Sequence, residues 1–193
     1  MRSIALVSRA LLVLVSLSAC SPADLLNATV PDTGYRRLSD IAYGDDPRQR
    51  LDLYIPQRPD PSRSVVVFFY GGSWDSGRRQ NYHFVAQALA DAGFWVVLPD
   101  YRIFPQVRFP AFVEDGAAAV RWTQSQIAAH GGDPGRLFLA GHSAGAHIAL
   151  MLATRTPYLE RAGVERGKLR GVIGIAGPYD FLPLSSDRLK EIF

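Results

Sequence analysis

The sequence predicts an α/β fold, a mostly parallel and doubly wound sheet, and three observations carry that expectation. Apolar runs at residues 65–70, 94–98 and 171–176 have the length of strands buried on both faces, and Arg136–Ala140 reads as a further strand. Segments with apolar residues at helical spacing lie between them, and strand–helix alternation of this kind implies parallel crossovers. Gly71, Asp100, Ser143 and Gly177 all fall just past the carboxyl ends of these runs, where sites in such sheets collect.

The chain of 193 residues suits one domain, and 48% apolar with 20% charged content is ordinary for a globular core. Its first nineteen residues read as a signal peptide. Arg2 and Arg9 precede an apolar run at 10–17 that is too short to span a bilayer but long enough for a signal core. Leu17-Ser18-Ala19-Cys20 then resembles the bacterial lipobox, which makes Cys20 the expected site of lipidation. No second cysteine competes for it in a disulfide. The alternatives are a plain secretory signal with an incidental cysteine, or an uncleaved anchor. The expected place is the bacterial envelope, facing the periplasm or exterior, with the membrane touched only through the lipid anchor. Residues 20–34, with Pro22, Pro31 and Gly34, read as a tether, and the sequon at Asn27 as coincidental. The net charge of +3 nearly vanishes once Arg2 and Arg9 are set aside, so nucleic acid has no electrostatic footprint here.

From residue 35 onward the elements follow in order. Residues 36–43 and 50–55 form an antiparallel hairpin around the turn Gly44-Asp45-Asp46-Pro47, with Leu51, Leu53 and Ile55 on one face. After the strand at 65–70, residues 81–92 place Phe84, Val85, Ala88 and Leu89 on one side of a helix that Gly93 ends. The strand at 94–98 leads to a helix at 111–129, opened after Pro110 and striped by Val113, Ala117, Val120 and Ile127. A glycine-rich loop at 131–135 precedes the strand at 136–140 and a helix at 144–154. One more buried strand at 171–176 and the start of a helix at 185–192 complete the series.

Gly141-His142-Ser143-Ala144-Gly145 sits between strand and helix, the context that gives G-x-S-x-G its meaning as a nucleophile turn. A side chain at either glycine would crowd backbone in so tight a turn. The turn lifts the Ser143 hydroxyl above the sheet and aims the Ala144 N–H at the space before it. The bland alternative is a small-residue turn for close helix packing. Tyr70-Gly71-Gly72-Ser73-Trp74 ends another strand, and Gly71 and Gly72 let backbone N–H groups approach a substrate carbonyl. A generic glycine turn is the alternative there.

These motifs carry a resemblance. Residues 43–56, the Tyr-Gly-Gly-Ser-Trp loop at 70–74, Asp-Tyr-Arg-Ile at 100–103, the segment 109–115, Gly-Gly-Asp-Pro at 131–134 and Gly-His-Ser-Ala-Gly at 141–145 resemble the α/β-hydrolase esterases and lipases. They are similar to those related to hormone-sensitive lipase and to feruloyl and acetyl-xylan esterases. That resemblance implies hydrolysis of small-molecule esters by a Ser, Asp/Glu, His triad in that chain order, without cofactor or metal. It implies Ser143 as nucleophile and Gly71, Gly72 and Ala144 as oxyanion donors. Tyr70 stands where the family usually has His, a change expected to tune the pocket.

The family's acid and histidine would lie beyond the strand that follows 171–176, so the C-terminal strands and both residues are expected past Phe193. The chain as given is then expected to be an incomplete hydrolase domain (35–193), poorly stable and nearly inactive. His83, His130, His142 and His147 read as structural, with His147 the least implausible stand-in for the base. Asp180 reads as a loop or cap residue rather than the acid. Asp100 and Arg102 are expected to pair beneath the pocket, and Glu114 and Asp115 point too far apart to work together. The readings to separate are a carboxylesterase, an arylformamidase-like amidase, and a non-catalytic envelope lipoprotein that keeps the fold.

Overall fold

The computed structural model describes residues 22–193, so the signal segment and Cys20 lie outside the described residues. Six strands form one mixed sheet in the order β1-β2-β4-β3-β5-β6. β1 (Tyr35–Ala42) and β2 (Arg50–Pro56) make the expected antiparallel hairpin, and β2 also runs antiparallel to β4 (Trp95–Pro99). β3 (Val65–Phe69), β4, β5 (Leu137–His142) and β6 (Leu169–Ile175) are mutually parallel.

The period-2 pattern of β3 divides the core. Val65, Val67 and Phe69 face one layer, packed with Phe112, Val113, Ile148 and Leu152. Those residues come from α3 (Ala111–Gln126) and α4 (Ala144–Thr154). Val66 and Phe68 face the other layer, where Ala86 and Ala90 of α2 (His83–Asp91) let that helix lie close. Helices on both faces follow from strands that are apolar on both sides.

The segment read as a tether contains a helix, α1 (Pro22–Thr29). Asn27 docks it: its amide nitrogen donates to the Gln80 carbonyl at 2.8 Å and its amide oxygen accepts from the Phe84 N–H at 3.0 Å. The short α5 (Thr156–Arg161) gave no separate sequence signal, and α6 (Asp187–Ile192) is capped by Ser186, whose hydroxyl accepts from the Leu189 N–H at 3.1 Å.

Two expectations are corrected here. β6 is not buried on both faces: Ile173 is 57% and Ile175 48% exposed, because β5 is its only strand partner among the described residues. Asp100 does not pair with Arg102. Asp100 pairs with Arg79, which also meets Asp52 at 2.8 Å and Asp40 at 2.8 Å. Burial works against the Arg79 charge, but Asp52 and Asp100 more than offset it and raise its pKa. Arg102 pairs instead with buried Asp115 at 2.7 Å, while Glu114, its neighbour, is exposed.

Candidate active site

Ser143 stands between β5 and α4 with φ 52° and ψ −120°, a backbone region that non-glycine residues rarely adopt. Its own N–H continues the sheet, donating to the Ile175 carbonyl at 2.8 Å, while its carbonyl accepts from Ala146 and His147 to begin the helix. The turn therefore ends the strand and opens the helix at one residue. Gly145 makes this possible, since a Cβ there would overlap the Phe69 and Tyr70 carbonyls of the neighbouring strand end. Ala144 and Gly145 open α4, so their N–H groups have no intrahelical acceptor.

The glycine loop lies directly against this turn. A Cβ added at Gly71 would stand 3.0 Å from Ser143 Cβ and 2.9 Å from His142 Nδ1. The loop then turns sharply, with φ 151° at Gly72, 50° at Ser73 and 59° at Trp74. The Gly72 carbonyl accepts from the N–H groups of Asp75 and Ser76, and the Trp74 carbonyl accepts from Phe104 N–H at 2.8 Å. Ser143 is half-buried and opens into a cavity of about 310 Å³ whose walls include Ser73, Trp74, Gly177, Phe181 and Leu189. The structure thus brings Ser143, Ala144, Gly71 and Gly72 to one place. The Trp74 indole N–H is buried there without a partner among the described residues.

Tyr70 does not reach the pocket. It is fully buried, stacks on Tyr101 with ring centroids 4.6 Å apart, and its hydroxyl accepts from Arg48 at 2.9 Å. The expectation that it tunes the pocket is corrected accordingly. It is a core residue just past the end of β3, packed in the same layer as Phe69.

Ser143 Oγ makes no hydrogen bond to a histidine among the described residues. His83 lies 3.0 Å from the Tyr54 hydroxyl at the start of α2. His130 stacks on Trp122. His142 turns away from Ser143, its Nδ1 2.7 Å from the Tyr82 hydroxyl. His147 is boxed by Trp74, Phe109, Phe181 and Phe193, and its Nδ1 is buried without a partner among the described residues. Burial drives its pKa from 6.5 down to about 4. Asp180 is exposed in the loop after β6 and forms no ion pair with a described residue. No group of three or more His, Cys, Asp or Glu residues could hold a metal ion among the described residues.

Sequence reasoning missed Tyr82. It closes a 3₁₀ turn (Arg79–Tyr82) beside the site, and no spacing rule links it to His142, sixty positions later.

The BD-FAE family model matches residues 51–192. The isoprenylcysteine alpha-carbonyl methylesterase of Arabidopsis thaliana is 38% identical over 148 residues, 75% of this chain and 35% of its own length. The kynurenine formamidase of Danio rerio is 31% identical over 154 residues, 80% of this chain and 50% of its own. The inhibited esterase B of Lactobacillus rhamnosis superposes with a TM-score of 0.73 at 24% identity, covering 96% of this chain and 63% of the other, a likeness of fold. The chain thus spans between about a third and a half of the length of these curated relatives.

Proposed function

Starting from a chain that belongs to the BD-FAE family and has the α/β-hydrolase fold, we propose that the protein is a serine carboxylic-ester hydrolase. The observation that carries this reading is the strained Ser143, half-exposed above the sheet and in contact range of the paired glycines. In the proposed reaction Ser143 Oγ attacks the acyl carbon of a small-molecule ester. The carbonyl oxygen becomes an oxyanion facing the amides of Ala144 and the Gly71-Gly72 loop, whose fixed dipoles stabilise it. The Oγ proton passes to a base and then to the departing alcohol; water later releases the acyl group by the same route. A histidine outside this sequence, held by an acidic residue, is the proposed base, since none of the four histidines present is hydrogen-bonded to Ser143 Oγ.

Incubation with a fluorophosphonate, followed by peptide mass spectrometry, tests the nucleophile. In a chain that carries the base, labelling at Ser143 that is lost in Ser143→Ala supports it, and an unlabelled Ser143 in that folded chain returns the protein to a non-catalytic envelope role. The formamidase relative favours a second reading, an amidase acting on formamides. Comparing p-nitrophenyl acetate with an aryl formamide in a chain that carries the base separates the two. The lipid anchor belongs to the same proposal: mass spectrometry of the mature N-terminus should find Cys20 acylated, and Cys20→Ser should release the protein from membranes.

A further inference from the structure

The cavity in front of Ser143 is roofed by α6 and the loop that leads to it. Leu189 of α6 and Phe181 of the loop line it together with Trp74 of the glycine loop. The reaction just proposed makes no use of this roof, yet several contacts tie it down. Arg188, the neighbour of Leu189, donates from Nε at 3.2 Å and from Nη2 at 2.9 Å to one carboxylate oxygen of Asp75, which follows Trp74 in the glycine loop. Its guanidinium also lies over the Phe104 ring at 4.3 Å and meets Glu191 at 3.5 Å. At the far end of α6 the Ile192 carbonyl accepts from the Phe109 N–H at 2.8 Å, and the Glu191 carbonyl accepts from Arg108. Phe193 then stands edge-on to Trp74 with centroids 4.9 Å apart, and Phe181 stacks on the same indole at 6.0 Å.

No charged side chain lines this cavity, and apart from Ser73 and Ser143 its walls are aliphatic, aromatic or glycine. Such walls suit an uncharged hydrocarbon group. The proton that frees the alcohol comes from the base, and no histidine lines the cavity. The alcohol therefore lies toward the base, on a side these residues do not build. The acyl group is the part of the ester left to fill the space. A wall packed to interior density does not yield to extra methylenes without strain. Apolar pockets of this kind discriminate about 10- to 200-fold per methylene.

We propose that this cavity is the acyl pocket and that Leu189 is the residue that limits acyl length, held in place by the pairing of Arg188 with Asp75. The proposal rests on the esterase reading and deepens it. The substrates are esters of uncharged aliphatic acids whose chains end before they meet Leu189.

The test is kcat/KM for p-nitrophenyl esters from acetate to dodecanoate in a chain that carries the base. The leaving group is the same throughout, so acyl length alone varies. In wild type the value should rise with length and then fall at least about tenfold within about two added carbons. Leu189→Ala shortens the side chain and should move the fall outward by about three acyl carbons. Leu189→Phe should move it inward, and Leu189→Met, of similar volume, should hold it within about one carbon. Looser packing of α6 explains the first shift but not the second. Arg188→Met and Asp75→Ala should each admit the esters beyond the fall about three- to tenfold better, and the double variant no more than either. Lys190→Ala, an exposed position on the same helix, should leave the profile unchanged. An even profile to dodecanoate, or a fall that stays in place in Leu189→Ala or in Leu189→Phe, overturns the proposal, while turnover of acetate keeps the esterase reading. Additive gains in the double variant overturn the role of the pair. A folded chain that carries the base yet hydrolyses none of these esters overturns the esterase reading and the acyl pocket with it.

Discussion

Replacing His147 by Leu, a side chain of similar volume, tests whether this histidine is a buried neutral ring or a concealed base. His147 is 8% exposed, its Nδ1 has no partner among the described residues, and its ring lies edge-on to Trp74 with centroids 5.4 Å apart. Desolvation lowers its pKa from 6.5 to about 4. Arg155 and Asp180 border the neighbouring cavity, but neither is among the causes of the shift. A folded-state pKa below the unfolded one means that the unfolded chain takes up the proton first. The stability contributed by the neutral ring is therefore complete above the unfolded value and is lost as pH falls through the window between 6.5 and about 4. The loss amounts to about 2 kcal/mol at pH 5 and about 3 kcal/mol below the folded-state value. Denaturant unfolding at pH 7 and pH 5 measures it: wild type should lose about 2 kcal/mol more than His147→Leu over that interval. Fluorophosphonate labelling of Ser143 should change by no more than a few-fold. Parallel pH dependence in the two chains would refute the buried neutral ring, and loss of labelling in His147→Leu would make it the base after all.

Arg79→Ala removes the cation that pairs with both Asp52 and Asp100, which are 3% and 7% exposed, and should cost about 3–5 kcal/mol in denaturant unfolding, partly restored by adding Asp52→Asn. Tyr70→Phe deletes one acceptor of Arg48 and should cost about 1 kcal/mol while leaving Ser143 labelling unchanged, because the ring faces the core. A tenfold drop in labelling would place Tyr70 back in the pocket. With no histidine bonded to Ser143 Oγ, the 193-residue chain should discriminate sharply by leaving group. Hydrolysis of p-nitrophenyl acetate should exceed that of ethyl acetate by far more than in a chain that carries the base, since nitrophenolate departs without a proton and ethoxide does not. Equal discrimination would show that a proton donor is already in place.

Much of this architecture is legible in the sequence because it depends on patterns the backbone enforces. The alternation of Val65 to Phe69 divides the core into its two layers, and Gly145 is required by the approach of the Phe69 carbonyl. What the sequence conceals depends on distant partners. Arg79 reaches Asp100 across a helix and a strand, so adjacency in the sequence wrongly suggested Arg102. The run at 171–176 is as apolar as any central strand, but burial is decided by neighbours, and Ile173 and Ile175 have none on their outer side among the described residues. The docking of α1 through Asn27 and the contact of Tyr82 with His142 are pairings of single side chains, which leave no periodic trace.

The same distinction divides the proposed chemistry into two parts. The nucleophile and its amides are defined by backbone: the φ and ψ of Ser143, the bond from its N–H to Ile175, and the contact of Gly71 with the turn all arise within β3, β5, β6 and α4. Such geometry is fixed wherever those elements fold together, and it needs no side chain beyond the hydroxyl. Proton transfer is defined by side chains, and none of the four histidines is bonded to Ser143 Oγ among the described residues.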